Sequence, residues 1–133
     1  MDRDALARIA HDWISLWNEP VDWTLFDRLH AVTFEDASPA GRPADREGFA
    51  QGLRNLLRAF PDLKTGVEDL VVDAEARRVA VRWSAHGTNR VRYLGIGPTH
   101  RRTRITGIEI IEIEDARIVR RWGEWDITDH VEG

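Results

Sequence analysis

The residue best suited to chemistry in this sequence is Asp126, near the end of a strand-like stretch, Arg117 to Ile127. Side chains alternate along a strand, so Ile118, Trp122 and Asp126 share one face if no bulge intervenes. A carboxylate set against an indole and aliphatic groups loses hydration, which raises its pKa toward a useful acid/base range. Such a group can remove a proton beside a carbonyl, or protonate a carbonyl oxygen as a carbon–carbon bond forms. The other reading of the same spacing is an aspartate that ends a strand in water, and the pattern leaves both open.

Several residues are candidates to surround it. Trp83 shares a strand face with Val79 and Val81, and the same alternation directs Asn89 inward, where its amide can meet a carbonyl or hydroxyl. As a turn residue, Asn89 has an equally ordinary role. Trp122 has the strongest claim to a pocket wall because it shares a face with Asp126. Trp13 and Trp17 lie one helical turn apart, and Phe34 sits on an early extended stretch; core packing and pocket lining are both open to them. Glu109 and Glu112 are three apart on a strand and face opposite ways, so at most one joins Asp126 inside; Glu112 is the candidate, and solvent or interface positions for both are the other reading. Asp36 is a further carboxylate near the mouth. His86 and His100 stand where a loop histidine can assist proton transfer.

The elements that must position these groups follow from periodicity. Leu6, Ile9, Ala10, Trp13, Ile14 and Trp17 recur at helical spacing over Asp4 to Trp17, and Pro20 stops that helix. Asp22 is a cap for a short second helix carrying Trp23, Phe26 and Leu29. An extended stretch, Ala31 to Asp36, precedes a turn-rich Ser38 to Pro43. A third helix over Asp45 to Ala59 presents Phe49, Leu53, Leu56 and Leu57, and Pro61 ends its run. The period then changes to two: Val67 to Val72, Arg78 to Ala85, Thr103 to Ile113 and Arg117 to Ile127 read as strands. Short polar turns join neighbours, and Gly95 to His100 forms a longer connection. Helices first and an antiparallel meander afterwards predict an α+β fold with helices on one face of the sheet. No repeat or linker divides the chain, so residues 1–133 are expected to form a single domain.

Composition sets the outer bounds. The 133 residues are 42% hydrophobic and 32% charged with a net charge of −4, which argues against a nucleic-acid partner. Zero cysteines exclude disulfides and thiolate metal sites. The five histidines are scattered with no metal-ligand spacing, so no metal is expected. There is no nucleophile elbow and no phosphate-cradling glycine loop. Arg101, Arg102 and Arg104 are basic enough to draw an anion, although a solvated strand start explains them as well. A charged N-terminus leading into an amphipathic pattern, with no long apolar run, predicts a cytoplasmic protein away from membranes.

Taken in order, Phe60-Pro61-Asp62-Leu63, Val79-Ala80-Val81-Arg82-Trp83, Gly87-Thr88, Gly95-Ile96-Gly97-Pro98-Thr99 and Trp122-Gly123-Glu124-Trp125-Asp126 resemble the SnoaL-like polyketide and ester cyclases of the NTF2-like superfamily. The resemblance implies a cone-shaped α+β barrel in which a curved, mostly antiparallel sheet wraps helices around a deep hydrophobic cavity. It also implies cofactor-free chemistry on a small hydrophobic carbonyl-containing ligand, and assembly into homodimers or tetramers. It assigns Asp126 as the acid/base catalyst of an aldol-type ring closure, tipping the choice that spacing leaves open. The sequence departs from the family pattern at Asn89, where histidine is frequent, and at His100 and Ala116, where glycine is. These departures bear on the substrate and on activity. A related isomerase, dehydratase or epoxide hydrolase, or a non-catalytic ligand-binding or dimerisation module, are the competing readings.

Overall fold

The computed structural model describes residues 1–128, and His130, one of the five histidines, lies outside them. The described residues form three helices, α1 (Arg3–Ser15), α2 (Trp23–Leu29) and α3 (Arg46–Ala59), and five strands. The strands are β1 (His30–Asp36), β2 (Lys64–Asp73), β3 (Arg78–Thr88), β4 (Arg102–Glu114) and β5 (Arg117–Thr128). Each helix begins at an aspartate whose carboxylate accepts a backbone N–H three residues on: Asp2 from Ala5, Asp22 from Leu25 and Asp45 from Gly48, at 2.8–3.0 Å. The predicted cap at Asp22 is therefore present, Asp45 caps α3 rather than opening it, and α1 starts and stops slightly earlier than its apolar pattern suggested.

The sheet order is β1-β5-β4-β3-β2, with β1 parallel to β5 and every other pair antiparallel. The edge strands β1 and β2 do not pair, so the α+β sheet is curved but open rather than a closed barrel. α1 packs on β2 and β3, and α3 packs against β1, so the buried side of the sheet is the helix side. Asp115 and Ala116 both have left-handed φ, 51° and 63°, forming the two-residue turn whose twist suits a β4–β5 hairpin. The Phe60-Pro-Asp-Leu and Gly87-Thr88 segments meet: Asp62 accepts the Thr88 N–H at 2.6 Å and its hydroxyl at 2.8 Å. Among the described residues, no helix is long and apolar enough to cross a membrane.

One irregularity decides which side chains face inward. Ile113 pairs with Ile118, but the next residue back on β4, Glu112, pairs with Arg120, leaving Val119 as an extra residue in β5. Because the strand period is two, one added residue moves every following side chain to the opposite face. Beyond the bulge, Arg121, Gly123 and Trp125 lie on the helix side, paired with Ile111, Glu109 and Gly107. Trp122, Glu124 and Asp126 lie on the outer side, paired with Ile110, Ile108 and Thr106.

Candidate functional site

The expectation of a desolvated Asp126 is thereby corrected: its carboxylate is exposed, beside an outer groove of about 450 Å³ also lined by Arg82, Ser84 and Arg104. Trp122 is likewise outside, with the guanidinium groups of Arg78 and Arg120 at 5.2 and 5.7 Å from its ring centre. Glu112 is outside too, within 3.4 Å of Arg78 and 3.8 Å of Arg120. The bulge accounts for Trp122 and Asp126. Glu112 follows from the unbroken alternation of β4, in which Ile105, Ile111 and Ile113 are fully buried and carry Glu109 with them.

Glu109 is the carboxylate inside the fold. Its Oε2 accepts N–H bonds from Trp125 at 2.6 Å and Trp83 at 3.3 Å. Its Oε1 takes Arg121 Nη2 at 2.5 Å and Nε at 3.0 Å. Arg121 continues the chain through Nη1, which donates to Asp36 Oδ1 at 2.9 Å and to the Ser38 carbonyl at 3.0 Å. Asp36 Oδ2 then accepts from Arg42 Nη2 at 2.9 Å. The result is an alternating row, Glu109, Arg121, Asp36 and Arg42, in which each buried charge has an opposite neighbour, the condition under which such charges are tolerated.

Burial pushes the Glu109 carboxyl above the ordinary carboxylate range, against the pull of Arg121 and the two indole donors. For Arg121, burial works against the charge but the carboxylates of Glu109 and Asp36 outweigh it and hold its pKa above the usual value. Two glycines make the row possible by leaving space. A Cβ on Gly123 would stand 2.5 Å from Glu109 Oε1, and one on Gly52 of α3 would stand 2.5 Å from Arg42 Nε. Small residues here let charged groups approach backbone closely.

The deep hollow implied by the resemblance is occupied by the protein's own rings. Trp13, Trp17 and Trp83 are essentially unexposed, with ring centres 5.0 Å (Trp13–Trp17) and 4.9 Å (Trp17–Trp83) apart. Trp125 stands 5.7 Å from Trp17 and 5.1 Å from Trp83, while Phe34 packs 5.4 Å from Phe49. What remains of the cavity is about 20 Å³, between Trp17, Phe49, Leu56, Tyr93 and Trp125. That is space on the scale of a single water molecule. Trp13, Phe34 and Trp83 are thus core residues, and Trp17 lines only this remnant.

A second open volume, smaller than the outer groove, lies at the mouth. About 390 Å³ opens between the Ser38–Arg42 loop, Tyr93 and Leu94, and the inner side of β5 at Arg121, Gly123 and Trp125. Of the five N–H donors of Arg121, four are used in the bonds above, leaving one on Nη2. Tyr93 is buried, and desolvation raises its hydroxyl to about 12, against the opposing fields of Arg42 and Arg121. At neutral pH it is therefore a hydrogen-bond donor rather than a phenolate. Glu124, on the outer side of β5, borders both this opening and the outer groove, and is the one carboxylate among the described residues that line the opening.

Asn89 does not reach the mouth. Its Oδ1 accepts the Thr99 N–H and its Nδ2 donates to the Val91 carbonyl, both at 2.8 Å, so the amide holds its own loop together. The turn role is the one the structure supports. Sequence reading missed Glu109, Arg121, Arg42, Tyr93 and Trp125; for Glu109, counting back in twos from Ile113 was the available signal.

With the fold and this geometry in view, comparison with known proteins defines the class. Residues 7–131 match the SnoaL-like polyketide cyclase family, and the chain belongs to it. Among solved structures, TsrD from Streptomyces laurentii is 25% identical with a TM-score of 0.83, over 95% of this chain and 91% of that one. IdmH from Streptomyces antibioticus is 27% identical with a TM-score of 0.78, over 91% of each chain. A SnoaL-like polyketide cyclase from Agrobacterium tumefaciens is 25% identical with a TM-score of 0.73, again over 91% of each chain. No curated protein matches the sequence.

Proposed function

We propose that this member of the SnoaL-like family is a small-molecule enzyme that enolises a carbonyl compound bound at the mouth, as the first act of an aldol-type closure. The observation that carries the reading is the opening of about 390 Å³ with guanidinium groups in its floor and one carboxylate at its rim. Arg42, the free N–H of Arg121 and the Tyr93 hydroxyl are donors for an oxygen that gains charge as a proton leaves the neighbouring carbon. Fixed donors in a partly closed site stabilise an enolate without reorganising during the reaction. Glu124 is the proton acceptor in this account in place of Asp126: both lie on the outer side of β5, but Glu124 borders the mouth as well as the outer groove, and Asp126 borders the groove alone. Trp125 and Leu94 supply apolar contact for the ligand body.

A second reading, a ligand-binding module without turnover, draws support from the ring-filled interior, which leaves a ligand only a half-open seat. Both are separated by exchange of the α-proton of an aromatic β-ketoester in D2O, followed by NMR. Enzyme-dependent exchange is expected, with Glu124→Gln slower by about 100-fold or more and Asp126→Asn unchanged. Saturable binding with no exchange above buffer favours the module, and an unimpaired Glu124→Gln removes the assigned base.

We extend the proposal to self-association in the cytoplasm, a compartment consistent with a cysteine-free chain. On the outer sheet face Val71, Ala80, Ile110 and Trp122 are paired in one row across β2, β3, β4 and β5. Val71 is 64% exposed and Ile108, one row over, 55%. An apolar stripe of this kind suits the isologous contact of a two-fold homodimer.

A further inference from the structure

A second hollow of about 280 Å³ adjoins the mouth, sharing Ala40, Arg42, Tyr93 and Leu94 with it. Its remaining polar lining comes from two separate elements: Asn55 and Arg58 on α3, and Arg92 in the loop before Tyr93. No carboxylate lines it among the described residues. Arg42 is neutralised by Asp36, but Arg58 and Arg92 have no carboxylate within ion-pairing distance among the described residues. The nearest claim on Arg92 is a 3.4 Å contact to the Gly97 carbonyl. Arg58, in the last turn of α3, complements the helix dipole, which explains one charge there and not the convergence of the second. Beside this basic ledge stand exposed apolar groups, Leu94 at 55% and Val91 at 41%.

We propose that this hollow is an oxyanion subsite, and that the ligand held at the mouth carries a carboxylate or phosphate group seated between Arg58 and Arg92. The inference rests on the mouth being the ligand site. The geometry fits an amphipathic molecule whose rings lie against Leu94 and Trp125 and whose anionic end reaches the ledge. Guanidinium groups suit this role because their paired N–H donors match the oxygens of either anion. Both arginines are exposed, so the contribution weakens with added salt.

The test is calorimetric titration of the full chain with three probes: 2-naphthoate, methyl 2-naphthoate and 2-naphthyl phosphate. At low salt, one or both anions are expected to bind about tenfold or more tightly than the ester, and the tighter one identifies the source of the oxyanion. The double variant Arg58→Gln/Arg92→Gln removes that preference and leaves the ester's affinity within about twofold. Both arginines are surface residues outside the proposed machinery, so folding and the ester's affinity serve as internal controls. Equal binding of ester and anions, or anion affinity untouched in the double variant, overturns the subsite and leaves the mouth as ligand site. Anion binding without any ester binding upholds the ledge and overturns the mouth. Failure of all three probes overturns both.

Discussion

Glu109 and Gly123 face each other across β4 and β5, and the Glu109 carboxylate fills space that a side chain at 123 would need. The hydrogen bonds of Trp83, Trp125 and Arg121 all converge on that carboxylate, so the missing Cβ is a condition of the entire polar row. Gly123→Ala is expected to cost about 2–4 kcal/mol, between the values for overpacking and for breaking a buried ion pair. Urea unfolding measures it. A variant as stable as the parent would show that the carboxylate has room to move.

His30 reports on the other end of the core. The Trp13 indole N–H donates to its Nε2 at 3.0 Å, and its Nδ1 lies 2.8 Å from the Phe26 carbonyl, so the ring is neutral with the proton on Nδ1. Desolvation lowers its pKa to about 4; Arg46 adds to the lowering, while the Phe26 carbonyl and Asp27 oppose it. The unfolded chain binds this proton near 6.5, so between those values the unfolded state holds more protons and folding weakens as pH falls. The loss from this group reaches about 3 kcal/mol below pH 4. Glu109 acts in the opposite sense, since a raised carboxyl pKa favours the fold at low pH. Site-resolved NMR of the imidazole therefore separates them: a midpoint near 4 is expected, and one near 6.5 would place the ring in water.

The outer apolar row makes its own prediction. If Val71, Ala80, Ile110 and Trp122 form a two-fold contact, a charge at the centre of the row opposes association. Light scattering on Ile110→Arg is expected to give the mass of one chain, against two for the parent, with unchanged far-ultraviolet circular dichroism. A parent that is already monomeric contradicts the proposal.

Much of the architecture was legible because local rules and packing agree. Aspartate caps, the helical spacing of Leu6 to Trp17 and the shift to period two after Leu63 mark the same elements that the structure contains. The site was legible only in part. Val119 continues an unbroken run of strand-forming residues, and nothing in Ile118-Val119-Arg120-Arg121-Trp122 marks a bulge. With tryptophan at both 122 and 125, either register puts an indole inside, so hydrophobicity does not choose between them. Asp126 followed the wrong register for that reason. Glu109 was hidden differently: Ile108 and Ile110 make the outer face look apolar, and a glutamate between them reads as the solvent-facing residue. Arg121 and Arg42 are stabilised by partners distant in sequence, which spacing alone does not register.

The account turns on which way β5 faces after Val119. Because the chain has no cysteine, Asp126→Cys gives a single thiol, and its modification rate in the native protein reads that face directly. Labelling within about tenfold of a free thiol is expected for an outward side chain, since exposure and thiolate fraction set the rate. Protection by several orders of magnitude, lifted on unfolding, would put position 126 inside and contradict the register on which the mouth and the Glu109–Arg121 row depend.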